Sequence, residues 1–206
     1  MVNLAINGIG RIGKLVLKLL LSKNFNVKYL NELNGNTNSL IHSIEFDSIH
    51  GKWQANIEEG KDEIKIDGKS IKATFVENID DLSLDDVDIM IDCTGVHKSS
   101  SKLQKYYDKG VKKVIVSAPI NEDNIVNIAY GVNHNIYIPK EHKIITGASC
   151  TTNCIAPIIK VLHENIGINH GSITTIHNLT NSQTLVDIPH NDLRRGRSAI
   201  NNLIPT

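Results

Sequence analysis

Four groups of residues have the types and spacing to do chemistry. Gly8-Ile9-Gly10-Arg11-Ile12-Gly13 is a GxGxxG run set between a short apolar stretch and a helical pattern. In that setting Gly8 permits a tight turn, Gly10 lets a pyrophosphate approach the backbone, and Gly13 lets helix and strand pack closely. The free N–H groups at the helix start then face the anion. Glu32 follows about twenty residues on, where a carboxylate accepts from a ribose diol and repels a 2′-phosphate. A bare glycine turn with a solvated acid is the plain alternative. Cys150 follows Ser149, a residue type suited to capping a helix, so the thiol falls in a first helical turn where its pKa drops. Cys154 is one turn later. The same pair also fits two small apolar residues in a core. His177 ends an apolar run; alone it reads as a satisfied or exposed imidazole, but beside a helix-start cysteine it has the chemistry of a base. Arg194, Arg195 and Arg197 offer planar forks for phosphate, or equally for local ion pairs.

The elements that must hold these residues are legible from periodicity. Val2–Ile6 and Val27–Leu30 read as buried strands around a helix over 11–22, where Ile12, Leu15, Val16, Leu19 and Leu20 share a face. This is a βαβ unit, hence a parallel sheet. Trp53–Ile57, Glu63–Ile66 and Ser70–Val76 alternate, and Asp67-Gly68 signals a hairpin, so 51–78 is expected to make an antiparallel excursion. Further strands are expected at Val87–Ile91, Lys113–Ser117, Asn127–Val132 and Lys143–Thr146, with a helix over 100–109 ending at Gly110. After Ser149 a helix carries Ile155, Ile158, Ile159 and Leu162 on one face. Ser172–Ile176 reads as a strand. The polar stretch that follows is long for a loop, and such loops are usually functional.

Composition narrows the classes. Over 206 residues Lys+Arg and Asp+Glu both number 22, giving a formal net charge of zero. That excludes the basic excess of a nucleic-acid binder or a polybasic membrane anchor. No apolar stretch is long enough to span a bilayer, and no signal-peptide pattern opens the chain. Three cysteines among nine scattered histidines make neither a disulfide framework nor a zinc pattern, so a reducing cytoplasmic setting without metal is expected.

Taken together the residues resemble the phosphorylating glyceraldehyde-3-phosphate dehydrogenases. The matching stretches are 7–13, 46–51 (Phe-Asp-Ser-Ile-His-Gly), 93–95, 112–119, 130–133, 148–154 (Ala-Ser-Cys-Thr-Thr-Asn-Cys), 174–177, 192–197 and Ile204-Pro205-Thr206. The resemblance implies an α/β fold: a Rossmann-type, mostly parallel sheet with an antiparallel hairpin excursion over 1–149. The start of an α+β catalytic domain follows over 150–206, including a long loop at 178–201. It implies that Cys150 is a nucleophile forming a thiohemiacetal and then a thioester, with His177 as its base. Gly8, Gly10, Arg11, Ile12, Gly13, Glu32, Thr94, Gly95 and Ser117 match contacts to NAD. Ser149, Thr151, Thr180 and Arg195 match sites for substrate and inorganic phosphate. Ile188-Pro189 resembles the Leu-Pro of NAD-specific members, in agreement with Glu32. A homotetramer is the implied assembly. Departures include Ile9 for the usual Phe, Thr146-Gly147 for Ser-Asn, and Leu179 and Ser182 beside the phosphate site.

The resemblance covers about three-fifths of the family's length. The expectation is therefore weak NAD binding with little turnover by these 206 residues alone. Three other readings share the motifs: erythrose-4-phosphate dehydrogenase, which hydrolyses the thioester; a member using arsenate as the attacking anion; and a non-catalytic NAD-binding fragment.

Overall fold

The computed structural model describes residues 1–205, so Thr206 of the Ile204-Pro205-Thr206 match lies outside the described residues. The chain divides into two compact units, Met1–Gly167 and Ile168–Thr206.

In the first unit, β1 (Asn3–Asn7), α1 (Arg11–Ser22) and β2 (Asn26–Asn31) form the expected βαβ unit, with β1 and β2 parallel. An additional helix, α2 (Thr37–Glu45), follows. Its start is fixed by a capping box in which Asn36 accepts from the Ser39 amide and Ser39 accepts from the Asn36 amide. Its Leu40 and Ile44 are buried. A two-stranded antiparallel ribbon, β3 (Phe46–Asp47) and β4 (Gly51–Lys52), leads on. β5 (Ile57–Gly60), β6 (Glu63–Ile66) and β7 (Lys69–Thr74) make the antiparallel excursion. Asp67 and Gly68 both have positive φ, 48° and 79°, as a two-residue hairpin turn with the twist of its strands requires. Trp53–Ala55 precede β5 outside the ladder, while Trp53 and Ala55 pack on the core.

β7 returns the chain to parallel pairing against β2. β8 (Ile89–Asp92), α3 (Ser100–Asp108), β9 (Lys113–Val116), β10 (Val126–Asn127) and β11 (Ile144–Thr146) complete the sheet, and α4 (Cys150–Asn165) follows it. β10 is shorter than the alternation at 127–132 suggested, because the chain turns after Asn127 and that asparagine's side chain bonds the backbone of Ile120. The nine-stranded order is β10-β11-β9-β8-β1-β2-β7-β6-β5. From β7 to β11 the order is that of a doubly wound dinucleotide fold, with the chain reversing direction of growth between β1 and β8. Alternation along β1 serves both faces: Leu4 and Ile6 enter one core with Leu17 and Leu30, and Ala5 enters another with Met90, Leu103 and Tyr106. Burying each large side chain contributes roughly 1.5–3 kcal/mol.

The second unit has no regular helix or strand among its described residues. Ser172–Ile176, expected as a strand, is not one. Its residues are exposed, and a strand needs a ladder partner that this unit's described residues do not supply. The later loop is nevertheless pinned. Ile188 donates to the Gly196 carbonyl, Ala199 to that of Thr184, and the Ser198 amide to Asp187 Oδ1, at 2.9, 2.9 and 2.8 Å. Among the described residues no helix is long and apolar enough to cross a membrane.

Candidate functional site

The carboxyl ends of four neighbouring parallel strands lie along one edge of the sheet. β1 ends at Asn7, β2 at Asn31, β8 at Asp92 and β9 at Val116. Immediately after them come Gly8, Glu32, Cys93-Thr94-Gly95 and Ser117. In an open parallel sheet this edge, at the point where strand order reverses, is where ligands bind. All the expected cofactor residues, from Gly8 to Ser117, are therefore brought to this edge or to the start of α1.

The three glycines have different jobs. Gly8 has φ +88°, and a Cβ on it would lie 2.8 Å from the Thr94 amide nitrogen; a Cβ on Gly13 would lie 1.9 Å from the Gly8 carbonyl oxygen. Both allow protein to touch protein. At Gly10 a Cβ would meet nothing within 4 Å, so this position faces open space. Gly10 is also the N-cap of α1 and lends no side-chain cap, the kind of helix start at which anions are held. Glu32 reaches this turn: its Oε2 accepts from the Ile9 amide at 2.7 Å. An open glycine at an uncapped helix start, with a carboxylate beside it, is a fitting cradle for a pyrophosphate and a ribose. Ile12 is exposed at the rim.

Cys93, adjoining Thr94, is not a nucleophile in this setting. Burial pushes its thiol up to about 11, against a partly compensating hydrogen bond with Ser117. Cys150 differs: it is exposed and is the first residue of α4. Ser149 caps that helix as expected, its Oγ accepting from the Thr152 amide at 3.0 Å. Asn153 Nδ2 ties the turn by donating to the carbonyls of Gly147 and Ser149 at 2.7 and 2.9 Å. Ala148 is buried with φ +55°, a left-handed conformation that costs an alanine about 1–2 kcal/mol. The α4 start is thus held in an unfavourable but over-determined shape that presents the thiol at the positive end of the helix. Cys154, one turn on, is also exposed. Thr151 is half-buried beside Cys150.

The other expected substrate-site residues belong to the second unit. His177 is exposed, and its Nδ1 sits 2.6 Å from the Asn178 carbonyl oxygen. A carbonyl only accepts, so Nδ1 carries the proton in this contact. Thr180 is half-buried; its amide donates to Gln183 Oε1 at 2.9 Å and its hydroxyl meets that of Ser182 at 3.0 Å. The arginines separate. Arg194 pairs with Asp192 at 2.9 Å and Arg197 with Asp187 at 2.5 Å, whereas Arg195 has no ion-pair partner among the described residues. The Arg194 guanidinium holds the Asp192 carboxyl down to about 2. Local ion pairing thus accounts for two of the three cations.

Sequence reasoning missed a buried polar chain beneath the crevice. Asn31 donates to Asn7, Asn7 to the Tyr106 hydroxyl, and that hydroxyl to Asp92, at 2.8, 2.7 and 2.8 Å. The available signal was a polar residue closing each apolar strand: Asn7, Asn31, Asp92.

Two family models match the chain: "Glyceraldehyde 3-phosphate dehydrogenase, NAD binding domain" over residues 2–100, and "Glyceraldehyde 3-phosphate dehydrogenase, C-terminal domain" over 149–206. Among curated relatives, glyceraldehyde-3-phosphate dehydrogenase 3 of Nostoc sp. is 43% identical; the alignment takes in 100% of this chain and 61% of that protein. Glyceraldehyde-3-phosphate dehydrogenase 2 of Streptomyces avermitilis is 42% identical, and the Geobacillus stearothermophilus enzyme 40%, each with 100% of this chain and 62% of the relative aligned. The chain spans about three-fifths of the length of the curated relatives it matches.

Proposed function

Because the chain belongs to the glyceraldehyde 3-phosphate dehydrogenase family, we propose that it serves the NAD-dependent oxidative phosphorylation of glyceraldehyde 3-phosphate to 1,3-bisphosphoglycerate. The observation that carries this is the uncapped glycine turn, with Glu32 beside it, at the point where the strand order reverses. In this reading Gly8, Gly10, Arg11, Ile12, Gly13, Glu32, Thr94, Gly95 and Ser117 hold the dinucleotide. In the same reading the family's domains divide after Ser149, supported by the start of the C-terminal family match at residue 149, eighteen residues before the compact units part after Gly167.

Cys150 is the nucleophile in this proposal. Its sulfur bonds to the aldehyde carbon while the thiol proton passes to Nε2 of His177. The imidazolium returns that proton to the oxygen of the resulting tetrahedral adduct, and the imidazole takes it back as that carbon is oxidised. NAD, when bound, supplies the hydride acceptor. The thioester left on Cys150 is attacked by inorganic phosphate, which releases the acyl phosphate and regenerates the thiolate. A covalent thioester conserves the energy of oxidation in a bond that phosphate can open. Ser149, Thr151, Thr180 and Arg195 bind the phosphate groups; the uncommitted charge of Arg195 supports its part. A cytoplasmic homotetramer belongs to the same proposal, and three cysteines outside any disulfide among the described residues agree with a reducing compartment.

The test is NADH formation from glyceraldehyde 3-phosphate by the protein as its source makes it, with and without phosphate. Phosphate-dependent turnover that Cys150→Ser abolishes, and that His177→Asn lowers by roughly 10²–10⁴-fold, is expected. Faster turnover with erythrose 4-phosphate and no need of phosphate would overturn the assignment.

A further inference from the structure

Asp92 is fully buried, and four donors converge on it. Its Oδ1 accepts from the amide and the hydroxyl of Thr94, at 3.0 and 2.7 Å. Its Oδ2 accepts from Tyr106 at 2.8 Å and from Nδ1 of His97 at 2.6 Å. No lysine or arginine pairs with this carboxylate among the described residues. The four donors are therefore what compensates its burial. Burial, and then the Asp92 charge, push the Tyr106 phenol far above its ordinary value, so it stays an O–H donor. His97 and Tyr106 rings also meet edge to face, centroids 6.3 Å apart.

The division of labour on Asp92 has a consequence for the crevice. One carboxylate oxygen is spent on Thr94, which begins the turn after β8, and the other is held by His97, which ends it. The turn 94–97 is thus closed on the carboxylate from both ends. Through Tyr106 and Asn7 the same carboxylate is linked to Asn31. The linked residues Asp92, Asn7 and Asn31 end the strands that lead into Cys93-Thr94, Gly8 and Glu32. Neither the glycine motif nor the family's catalytic stretch includes His97.

We infer that His97 is a positioning residue for the dinucleotide crevice, locking the Thr94–His97 turn through its Nδ1 donation to Asp92. This rests on the reading of that crevice as the NAD site. A donor at the Nδ1 position, not a ring as such, is what the geometry demands. The side-chain nitrogen of asparagine can occupy that position; that of glutamine falls near Nε2, and phenylalanine has none.

The experiment titrates the protein and its His97→Asn, His97→Gln and His97→Phe variants with NADH by fluorescence, and follows amide exchange at Thr94. Loss of a hydrogen bond to a buried charge is expected to weaken NADH about tenfold in the Phe and Gln variants. Exchange at Thr94 should quicken in both and stay unchanged over β5–β7. The Asn variant should bind within about twofold of the parent, a rescue that a generic packing role would not produce. If the parent binds NADH and all three variants bind equally, the inference is overturned while the NAD reading stands. If Asn fares no better than Gln, it is overturned even where the Phe variant fails to fold. If the parent does not bind NADH, the NAD reading falls and the inference with it.

Discussion

Gly13 and Gly8 touch backbone to backbone: a Cβ on Gly13 would fall 1.9 Å from the Gly8 carbonyl oxygen, while one on Gly10 would meet nothing within 4 Å. The two glycines should therefore fail differently. Gly13→Ala forces α1 from β1 and is expected to cost about 3 kcal/mol, or roughly 10 °C in melting temperature. Gly10→Ala should leave the melting temperature within about 2 °C but weaken NADH at least tenfold, because its methyl would enter the space proposed for the pyrophosphate. Calorimetry and an NADH titration on each variant separate the outcomes; equal loss of stability in both would refute this.

The three thiols should be ranked by their surroundings. Cys93, held up at about 11 by burial, carries far less thiolate at pH 7.5 than an ordinary cysteine, by about two orders of magnitude. Cys150 is exposed at the first position of α4. Brief treatment with iodoacetamide followed by peptide mass mapping should label Cys150 first and Cys93 last. Cys154, exposed but a turn inside the helix, should fall between them.

Glu32, proposed to face the ribose of NAD, also has a local structural part, since it accepts from the Ile9 amide. Glu32→Gln keeps an acceptor for that amide but removes the charge. NADH affinity is expected to fall about tenfold. NADPH affinity should hold or rise once the repulsion of its 2′-phosphate is gone. A preference for NADH over NADPH that survives the substitution would place discrimination elsewhere.

Asp47 and Lys14 form an ion pair at 2.5 Å that fastens the β3–β4 ribbon to α1. The Lys14 hydrogen bond, then the amides of His50 and Ile49, hold the Asp47 carboxyl far below its ordinary value of 3.8. A depressed carboxylate stabilises the fold above the ordinary value and loses that contribution as pH falls through the lowered one. Asp47→Asn should thus melt below the parent at pH 7, and the gap should narrow steadily as pH falls below about 4. A gap that persists unchanged to pH 2 would argue that the ion pair is not its source.

The sequence by itself determined the features that depend on near neighbours. The β1–turn–α1 unit was legible because glycine chemistry and a 3.6-residue apolar period act within a few residues. The hairpin at Asp67-Gly68 and the Ser149 cap on Cys150 are equally local. The capping box of Asn36 and Ser39 was also local, and it marks the start of α2, which periodicity alone did not reveal. What the tertiary structure decided was long-range. β7 pairs in parallel with β2 and antiparallel with β6, which no alternation pattern distinguishes. Ser172–Ile176 has a strand's composition but no ladder to join among the described residues. Asn7 and Tyr106 are separated by 99 positions, yet they share one buried hydrogen bond. A buried polar group must find its partner wherever the fold brings one, so the chain from Asn31 to Asp92 exists only once the sheet and α3 have come together.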